Sequence, residues 1–232
     1  MLGFCLRPLI QFVLFVFIVW FIPWVFVFYT GLLVYFPYDS NGTDRYTRVT
    51  GPLVKAFYKE SDWTPGEEIN RDCRAALIAA EDRNFYKHCG IDLDGIEYAF
   101  KKNQRRGKVR SGGSTITQQL VKNAFLSRER SYVRKTREAV GAVLLDRIMT
   151  KFDQVTWYFN IVEFGPRTYG IKQAAWKYFR KKPKDLNRSQ CVKLVSILPY
   201  PKKTYRYLLS GSPPRYLQAR QQRILQGVSD HP

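Results

Sequence analysis

The sequence predicts a mainly α domain that follows one N-terminal transmembrane helix. Residues 9–36 are uncharged and rich in apolar side chains, and a helix needs about 20 such residues to cross the hydrocarbon core of a bilayer. Beyond this run, apolar residues recur at helical spacing between Gly and Pro, and no strand–helix alternation indicates a doubly wound sheet. Residues 38–232 are enough for one domain.

The apolar run is predicted to be an uncleaved anchor. A cleaved secretory signal has a shorter apolar region that ends in small residues, whereas this run ends in Val34-Tyr35-Phe36-Pro37. Arg7 is the only charged residue within or before the run, which predicts that the short tail 1–8 is cytoplasmic. Arg45 and Arg48 oppose this orientation, but large domains translocate largely regardless of charge.

The rest of the chain divides into a linker and a folded domain. Residues 37–50 are polar and contain Gly, as expected of a juxtamembrane linker, and 51–232 form the domain. A short strand is predicted at 49–54. Helices are predicted over 71–83, 96–104, 115–125, 131–149, 152–162, 170–179, 188–198 and 214–225.

Charge and cysteine content exclude some classes of protein. The chain carries 38 Lys and Arg against 19 Asp and Glu, a net charge of +19, which argues against an acidic disordered protein. Beyond the anchor, Cys73, Cys89 and Cys191 are odd in number and lack the paired spacing of a zinc site. We expect them to act as small buried hydrophobic residues.

Two adjacent carboxylates end the first predicted helix. Glu81 and Asp82 follow an alanine-rich run, and a carboxylate at a helix C-terminus faces the unfavourable end of the dipole. This environment suits a general base. The alternative is a solvated helix end, with Glu81 paired to Arg83 or Lys87.

A glycine-rich loop leads into the helix predicted at 115–125. Thr115 is placed to be its N-cap, and Gln118 completes a capping box. At about 100° per residue, Thr115, Gln119 and Lys122 share one face of the helix. A helix N-terminus with glycines, a hydroxyl and a lysine is a candidate cradle for phosphate. The alternative is an ordinary capped helix.

A third cluster surrounds Glu138. Arg134 and Lys135 precede it at helical i,i+4 and i,i+3 spacing, so both cations neighbour the carboxylate. The alternative is an exposed network of ion pairs, which stabilises a protein little.

Four motifs occur in an order and spacing shared with a known enzyme family. They read E-D-x-x-F-x-x-H-x-G at 81–90, G-G-S-T-I-T-Q-Q-L-x-K-N at 112–123, R-K-x-x-E at 134–138 and Y-x-N at 158–160. Further matches follow at 163–166, 169–170, 174–175, 178–179 and 198–201. Together they resemble the peptidoglycan glycosyltransferases, glycosyltransferase family 51, of the membrane-anchored monofunctional type. The resemblance extends over residues 51–205.

The resemblance implies a fold, a reaction and a location. The fold is a lysozyme-like helical glycosyltransferase domain with an apolar jaw that dips into the membrane. The reaction transfers the growing lipid-linked glycan onto the 4-hydroxyl of lipid II with inversion, forming β-1,4 links and releasing undecaprenyl diphosphate. The implied location is the bacterial inner (cytoplasmic) membrane, single-pass, with the N-terminus cytoplasmic and the catalytic domain periplasmic.

The resemblance also implies residue roles and partners. Glu81 becomes the general base, and Glu138 a second essential carboxylate that assists departure of the leaving group or stabilises the transition state. The implied substrate-binding residues are Asp82, Phe85, His88, Ser114, Thr115, Gln119, Lys122, Asn123, Arg134 and Lys135. No metal ligand and no tightly bound cofactor are implied, although a divalent cation, Mg2+ or Mn2+, is allowed at the diphosphate. The implied partners are lipid II, lipid-linked glycan, membrane lipid and cell-division or cell-wall synthesis proteins, but no nucleic acid.

Two other classes of protein remain open. A lysozyme-like or lytic muramidase would share a helical fold and a catalytic Glu, but it would not need a glycine-rich basic helix for a diphosphate. A non-enzymatic basic membrane-binding protein would account for the net charge. However, Lys122, Arg134 and Lys135 interleave with Glu81 and Glu138 rather than forming a purely cationic stripe.

The sequence departs from the family pattern at two places. The family usually has I-L-E where this chain has Gln154-Val155-Thr156, so a common carboxylate is missing. This departure bears on the contribution of the predicted helix 152–162 to the cleft. Arg167 stands where monofunctional relatives often have glycine.

Overall fold

The computed structural model describes residues 63–106, 113–126 and 131–229. The predicted tail, anchor and linker, and the strand predicted at 49–54, lie outside these residues. Within the three described ranges, no helix is both long enough and apolar enough to cross a membrane.

Helices dominate the described residues, so the mainly α prediction is confirmed for this part of the chain. The helices are α1 (Arg71–Glu81), α2 (Leu93–Arg106), α3 (Ile116–Phe125), α4 (Tyr132–Ile148), α5 (Lys151–Ile161), α6 (Gly170–Phe179), α7 (Arg188–Ser196), α8 (Pro201–Thr204), α9 (Arg206–Ser210) and α10 (Arg215–Ser229). The strands are β1 (Glu163–Gly165) and β2 (Thr168–Tyr169), and 3₁₀ turns lie at Gly66–Glu68 and Pro183–Asp185.

Local chemistry determines where helices begin and end. Thr115 caps α3: its hydroxyl accepts from the Gln118 N–H at 3.1 Å, and the Gln118 side chain accepts from the Thr115 N–H at 3.0 Å. The predicted capping box is therefore confirmed. α1 ends before its predicted limit because Asp82 leaves the helical conformation, with φ −161° and ψ 78°.

The hairpin formed by β1 and β2 is absent from the sequence prediction. Its strands pair Glu163 with Tyr169 and Gly165 with Thr168, and they are too short to give an alternating pattern. Arg167, in the turn, has φ 53°, which lies in the left-handed region that favours glycine. This conformation accounts for the glycine that relatives often have at position 167.

Packing of helices brings distant parts of the chain together. α1 packs against α7 and α10, and α3 packs against α4 and α5. The apolar face of α1, including Ala76 and Leu77, is fully buried. At Gly227 of α10, an added Cβ would stand 2.9 Å from the Cβ of Ala79, which is closer than side chains normally approach. A glycine there lets α10 lie directly on α1.

A disulfide bond joins α1 to α7. It links the buried Cys73 and Cys191 across a sequence separation of 118, while Cys89 is exposed and free. The expectation that all three cysteines are merely small buried hydrophobic residues is therefore wrong. The sequence could not reveal this pair, because nothing in the spacing shows that α1 and α7 pack side by side.

Replacing Cys73 and Cys191 together with alanine should lower the free energy of unfolding by about 3–5 kcal/mol, because the bond closes a long loop in the unfolded chain. In thermal melts of the purified protein, the midpoint should fall by roughly 10 °C. Cys89→Ala is the control and should melt like the wild type. A wild-type melt that does not change on addition of a thiol reductant would contradict the bond.

Candidate active site

Glu81 is held from two sides at the C-terminal end of α1. Its Oε2 accepts from Gln119 Nε2 at 2.9 Å, and its Oε1 accepts from Arg220 Nη2 at 2.6 Å. The Glu81 side chain is only 14% exposed. The alternative of a solvated helix end does not hold, because Arg220 of α10, rather than Arg83 or Lys87, is the cation that pairs with Glu81.

A second layer of hydrogen bonds fixes the two groups that hold Glu81. Tyr158 donates its hydroxyl to Gln119 Oε1 at 3.0 Å, which turns the amide nitrogen towards Glu81. Arg220 Nε donates to the Ser196 carbonyl at 3.1 Å. Burial raises the pKa of Tyr158 well above its ordinary value. The charge of Glu81 raises this pKa further, and the charge of Arg220 lowers it. The hydroxyl therefore stays protonated and keeps its role as a donor.

Asp82 joins the end of α1 to the start of α3. Its buried carboxylate accepts from the Ile116 N–H at 3.0 Å and lies 3.0 Å from His88 Nε2 through each oxygen. Phe85 is fully buried, with its ring edge-on to His88 at a centroid distance of 6.3 Å. Asp82, Phe85 and His88 thus pack together in the segment that follows Glu81. Among the described residues, His88 Nδ1 has no hydrogen-bond partner.

The Thr115 hydroxyl makes two hydrogen bonds within the fold, one as an acceptor and one as a donor. Besides capping α3, its hydroxyl donates to the Gly90 carbonyl at 2.6 Å, and the side chain is buried. Gly90 has φ 85°, and an added Cβ would collide with the backbone of Ala142. Thr115 therefore positions the start of α3, and its hydroxyl is not free to meet a ligand in this arrangement.

Glu138 is a buried carboxylate that holds two cations. Arg134 Nη1 donates to Glu138 Oε2 at 2.7 Å, and Lys135 Nζ donates to Oε1. Lys135 Nζ also donates to Ser114 Oγ at 3.0 Å, which connects α4 to the loop before α3. The Glu138 side chain is 3% exposed, so the alternative of an exposed ion-pair network does not describe this cluster.

Lys122 interacts electrostatically with both carboxylates. Burial is the main cause that lowers its pKa, and Arg134 and Lys135 lower it further. Glu138 and Glu81 act in the opposite direction. Gln119 of α3 bonds Glu81 of α1, and Lys135 of α4 bonds Ser114 just before α3, so the structure brings the three sequence-predicted charged clusters into one centre. Asn123, the next residue of α3, is exposed.

Arg220 is a member of the charged centre that the sequence did not predict. It lies three residues after Leu217 and four before Ile224, both of which are buried, so it stands on the apolar face of α10. The signal in the sequence that could have identified Arg220 is the presence of a cation on an apolar helix face. Its partner could not be inferred, because Glu81 is 139 positions away in sequence.

The helix that departs from the family pattern still reaches the centre through Tyr158. Gln154 is fully buried and accepts from the Thr117 hydroxyl at 2.7 Å, and its amide donates to Asp146 Oδ1 at 3.0 Å. The Thr156 hydroxyl donates to the Phe152 carbonyl within α5 at 2.9 Å. The missing carboxylate is thus replaced by side chains whose hydrogen bonds are satisfied.

The described residues offer no ready-made metal site. In 63–106, 113–126 and 131–229, no group of three or more His, Cys, Asp or Glu side chains could hold a metal ion. Asp82 and His88 lie together, but they are only two such side chains.

Comparison with known sequences defines the class of protein. The profile of a family described as Transglycosylase matches residues 50–229, which include Glu81, Glu138 and Arg220. The chain belongs to the transglycosylase family.

Individual relatives carry the description "Biosynthetic peptidoglycan transglycosylase". The protein of Acinetobacter baylyi is 41% identical over 143 residues, covering 62% of this chain and 64% of the relative. That of Thiobacillus denitrificans is 39% identical over 140 residues, covering 60% of each. That of Herminiimonas arsenicoxydans is 44% identical over 140 residues, covering 60% of this chain and 61% of the relative. In all three, the match spans less than two thirds of the relative's length.

Lys122 should make stability depend on pH. Because burial lowers its pKa from the ordinary 10.5, the unfolded chain holds more protons than the folded protein between the lowered pKa and 10.5. Stability should therefore rise with pH across that window. Lys122→Met should remove this rise and leave the free energy of unfolding at neutral pH unchanged or higher by about 0.5–1 kcal/mol.

Urea unfolding at neutral pH and again in the alkaline window measures both effects. Lys193→Met, at an exposed position of α7, is the matched control and should keep the wild-type pH dependence. A Lys122→Met protein that is clearly less stable than the wild type at neutral pH would show that Lys122 is a structural cation.

Proposed function

We propose that this protein polymerises the glycan strands of peptidoglycan from lipid II at the membrane. The observation that carries the proposal is a pair of carboxylates on separate helices, the partly buried Glu81 and the buried Glu138, with the partly buried Lys122 interacting with both. A glycosyl transfer from a lipid diphosphate needs a base on one side of the reacting carbon and positive charge on the other.

Glu81 acts as the general base. It takes the proton from the 4-hydroxyl of the acceptor sugar, and the hydroxyl oxygen forms a bond to the anomeric carbon of the lipid-linked glycan. The bond from that carbon to the diphosphate breaks, with inversion, and undecaprenyl diphosphate leaves. Gln119 and Arg220 each bond one carboxylate oxygen, so the carboxylate is held still while its remaining lone pairs face the acceptor.

The cations stabilise the departing diphosphate. Arg134 and Lys135 are held by Glu138, and Lys122 is partly desolvated beside them. Positive charge in a partly water-free site interacts more strongly with developing negative charge than it would in water. Glu138 thus keeps two cations in place. A Mg2+ or Mn2+ ion brought by the diphosphate would add to this charge, which remains a prediction.

Two observations support a location at the outer face of the cytoplasmic membrane. Structural disulfides such as Cys73–Cys191 persist in oxidising compartments and are rare in the cytosol. α2 exposes Leu93, Ile96 and Phe100 on one face beside Lys101, and an apolar face bordered by a basic residue suits contact with anionic lipid. The N-terminal anchor and the cell-wall synthesis partners remain predictions.

Purified full-length protein incubated with lipid II should form glycan polymer and release undecaprenyl diphosphate. Glu81→Gln should slow polymerisation by at least about 10²–10⁴-fold, because the amide keeps the shape of the carboxylate but cannot accept a proton. Glu97→Gln, on the exposed ion pair of α2, is the matched control. Glu81→Gln activity within a few-fold of the wild type, with an unchanged melt, removes Glu81 from its role. Cleavage of mature glycan without polymer formation would support a muramidase.

Arg220→Lys should lower kcat by up to about 100-fold with a smaller effect on KM. A lysine cannot donate to the Glu81 carboxylate and to the Ser196 carbonyl at the same time, so Glu81 loses its orientation. Arg223→Lys is the control, since Arg223 is exposed on the same helix and donates within it to the Ala219 carbonyl. Equal kcat values for the two variants in the lipid II assay would rule out a positioning role for Arg220.

A further inference from the structure

The Y-x-N motif of α5 anchors that helix and places a hydroxyl group close to Glu81. Asn160 is buried; its Oδ1 accepts from the Thr64 N–H at 2.8 Å, and its Nδ2 donates to the Thr64 carbonyl at 2.8 Å. Tyr158, two residues earlier, is 1% exposed, and its hydroxyl lies 3.0 Å from Oε1 of Gln119 on α3. A buried tyrosine on an anchored helix has little freedom, so its hydroxyl is a fixed point beside the base.

The direction of the hydrogen bonds between Tyr158 and Glu81 follows from the chemistry of the three groups. An ionised carboxylate only accepts hydrogen bonds, so the Gln119 atom that lies 2.9 Å from Glu81 Oε2 is the amide nitrogen. The amide oxygen then faces Tyr158, and the tyrosine hydroxyl must donate to it. Because burial raises the pKa of Tyr158, the hydroxyl keeps its proton at neutral pH and remains a donor.

The two protonation states of Glu81 place different demands on Gln119. When Glu81 takes a proton, its carboxyl group gains an O–H that can donate. An amide that was free to turn over would present its oxygen to this O–H and stabilise the protonated form. Turning it over would, however, leave the buried Tyr158 O–H without an acceptor, since the described residues offer it no other. An unsatisfied buried donor is costly, so Tyr158 opposes the turn.

We propose that Tyr158 is a positioning residue that holds Gln119 as a donor in both protonation states of Glu81. The ionised base then keeps a donor at Oε2, whereas the protonated base finds no acceptor at Gln119. The proton taken from the 4-hydroxyl of the acceptor sugar therefore passes on from Glu81 to water, which reaches the side chain through its 14% exposed surface. The base is then ready for the next transfer. This inference rests on the proposed function, because it concerns the return of Glu81 to its reactive form.

Other charged groups also surround Glu81, and they act on it in a different way. They are Arg220 of α10, Lys122 of α3 and the adjacent Asp82. On α7, which also packs against α1, Arg188 pairs with Asp72 at the opposite end of α1. These groups act on Glu81 through their charge, whereas Tyr158 acts through the orientation of one amide. Variants that change only this amide or the tyrosine hydroxyl therefore separate the two effects.

The test is the pH dependence of kcat/KM for lipid II, whose acidic limb reports the base of the free enzyme. In Tyr158→Phe the amide can turn over and accept from protonated Glu81, so the limb should move to higher pH by about 0.5–1 pH unit, as expected for one hydrogen bond. Gln119→Met should move the limb in the same direction, because it removes the donor to the carboxylate. Adding Tyr158→Phe to Gln119→Met should move the limb no further.

Tyr178→Phe is the matched control. It removes another buried hydroxyl, which donates to the Phe164 carbonyl at 2.9 Å, so it should lower the melting temperature and leave the acidic limb in place. An acidic limb in Tyr158→Phe that coincides with that of the wild type would overturn the inference. A further shift in the double variant would also overturn it, because Tyr158 would then act on Glu81 without Gln119. Should Tyr158→Phe fail to fold, an unmoved limb in Gln119→Met rejects the inference.

A wild-type protein that polymerises no lipid II would refute the proposed function, and a measurement without substrate then decides the role of Tyr158. The carboxyl group of Glu81 is titrated by NMR in protein labelled with carbon-13 in its glutamate side chains, and its signal is assigned by its absence from Glu81→Gln. The titration midpoint should be higher in Tyr158→Phe than in the wild type. Equal midpoints would reject the positioning role.

Discussion

The buried carboxylate of Asp82 is the constraint on which the rest of the site depends. It bonds the first N–H of α3 and lies against His88, and breaking one partner of a buried charged group is strongly destabilising. The end of α1 is therefore locked to the start of α3, so that Glu81 and Gln119 face each other. α4 and α10 then add their cations to a pair of helix ends that is already fixed.

The charged form of Lys122 is kept at a place where it costs the fold stability. The fold disfavours its charged form, since burial and two nearby cations outweigh two carboxylates in lowering its pKa. A protein selected only for stability would place an apolar side chain there. An ammonium group kept partly out of water is, however, well suited to meet an anionic leaving group, because it interacts more strongly than a fully hydrated one.

What the sequence could predict is local, and what it could not is the meeting of distant segments. The capping box at Thr115 and the neighbours of Glu138 follow from spacings of three and four residues, which a helix translates directly into contacts. The Cys73–Cys191 bond and the Glu81–Arg220 pair join positions more than a hundred residues apart. The spacing of apolar residues shows that such residues point towards the core, but it does not show which other helix they contact there.

The disulfide closes residues 73–191 into a covalent ring and leaves a stretch of chain outside it on either side. The ring runs from Cys73 to Cys191 and contains Glu81, Lys122 and Glu138, so a break in a surface loop inside it would leave the two pieces tethered. Arg220 lies outside the ring, on a terminal helix that only non-covalent contacts hold against α1. Packing and hydrogen bonds alone therefore keep Arg220 beside Glu81, whereas the other charged members of the centre all belong to the covalently closed part of the chain.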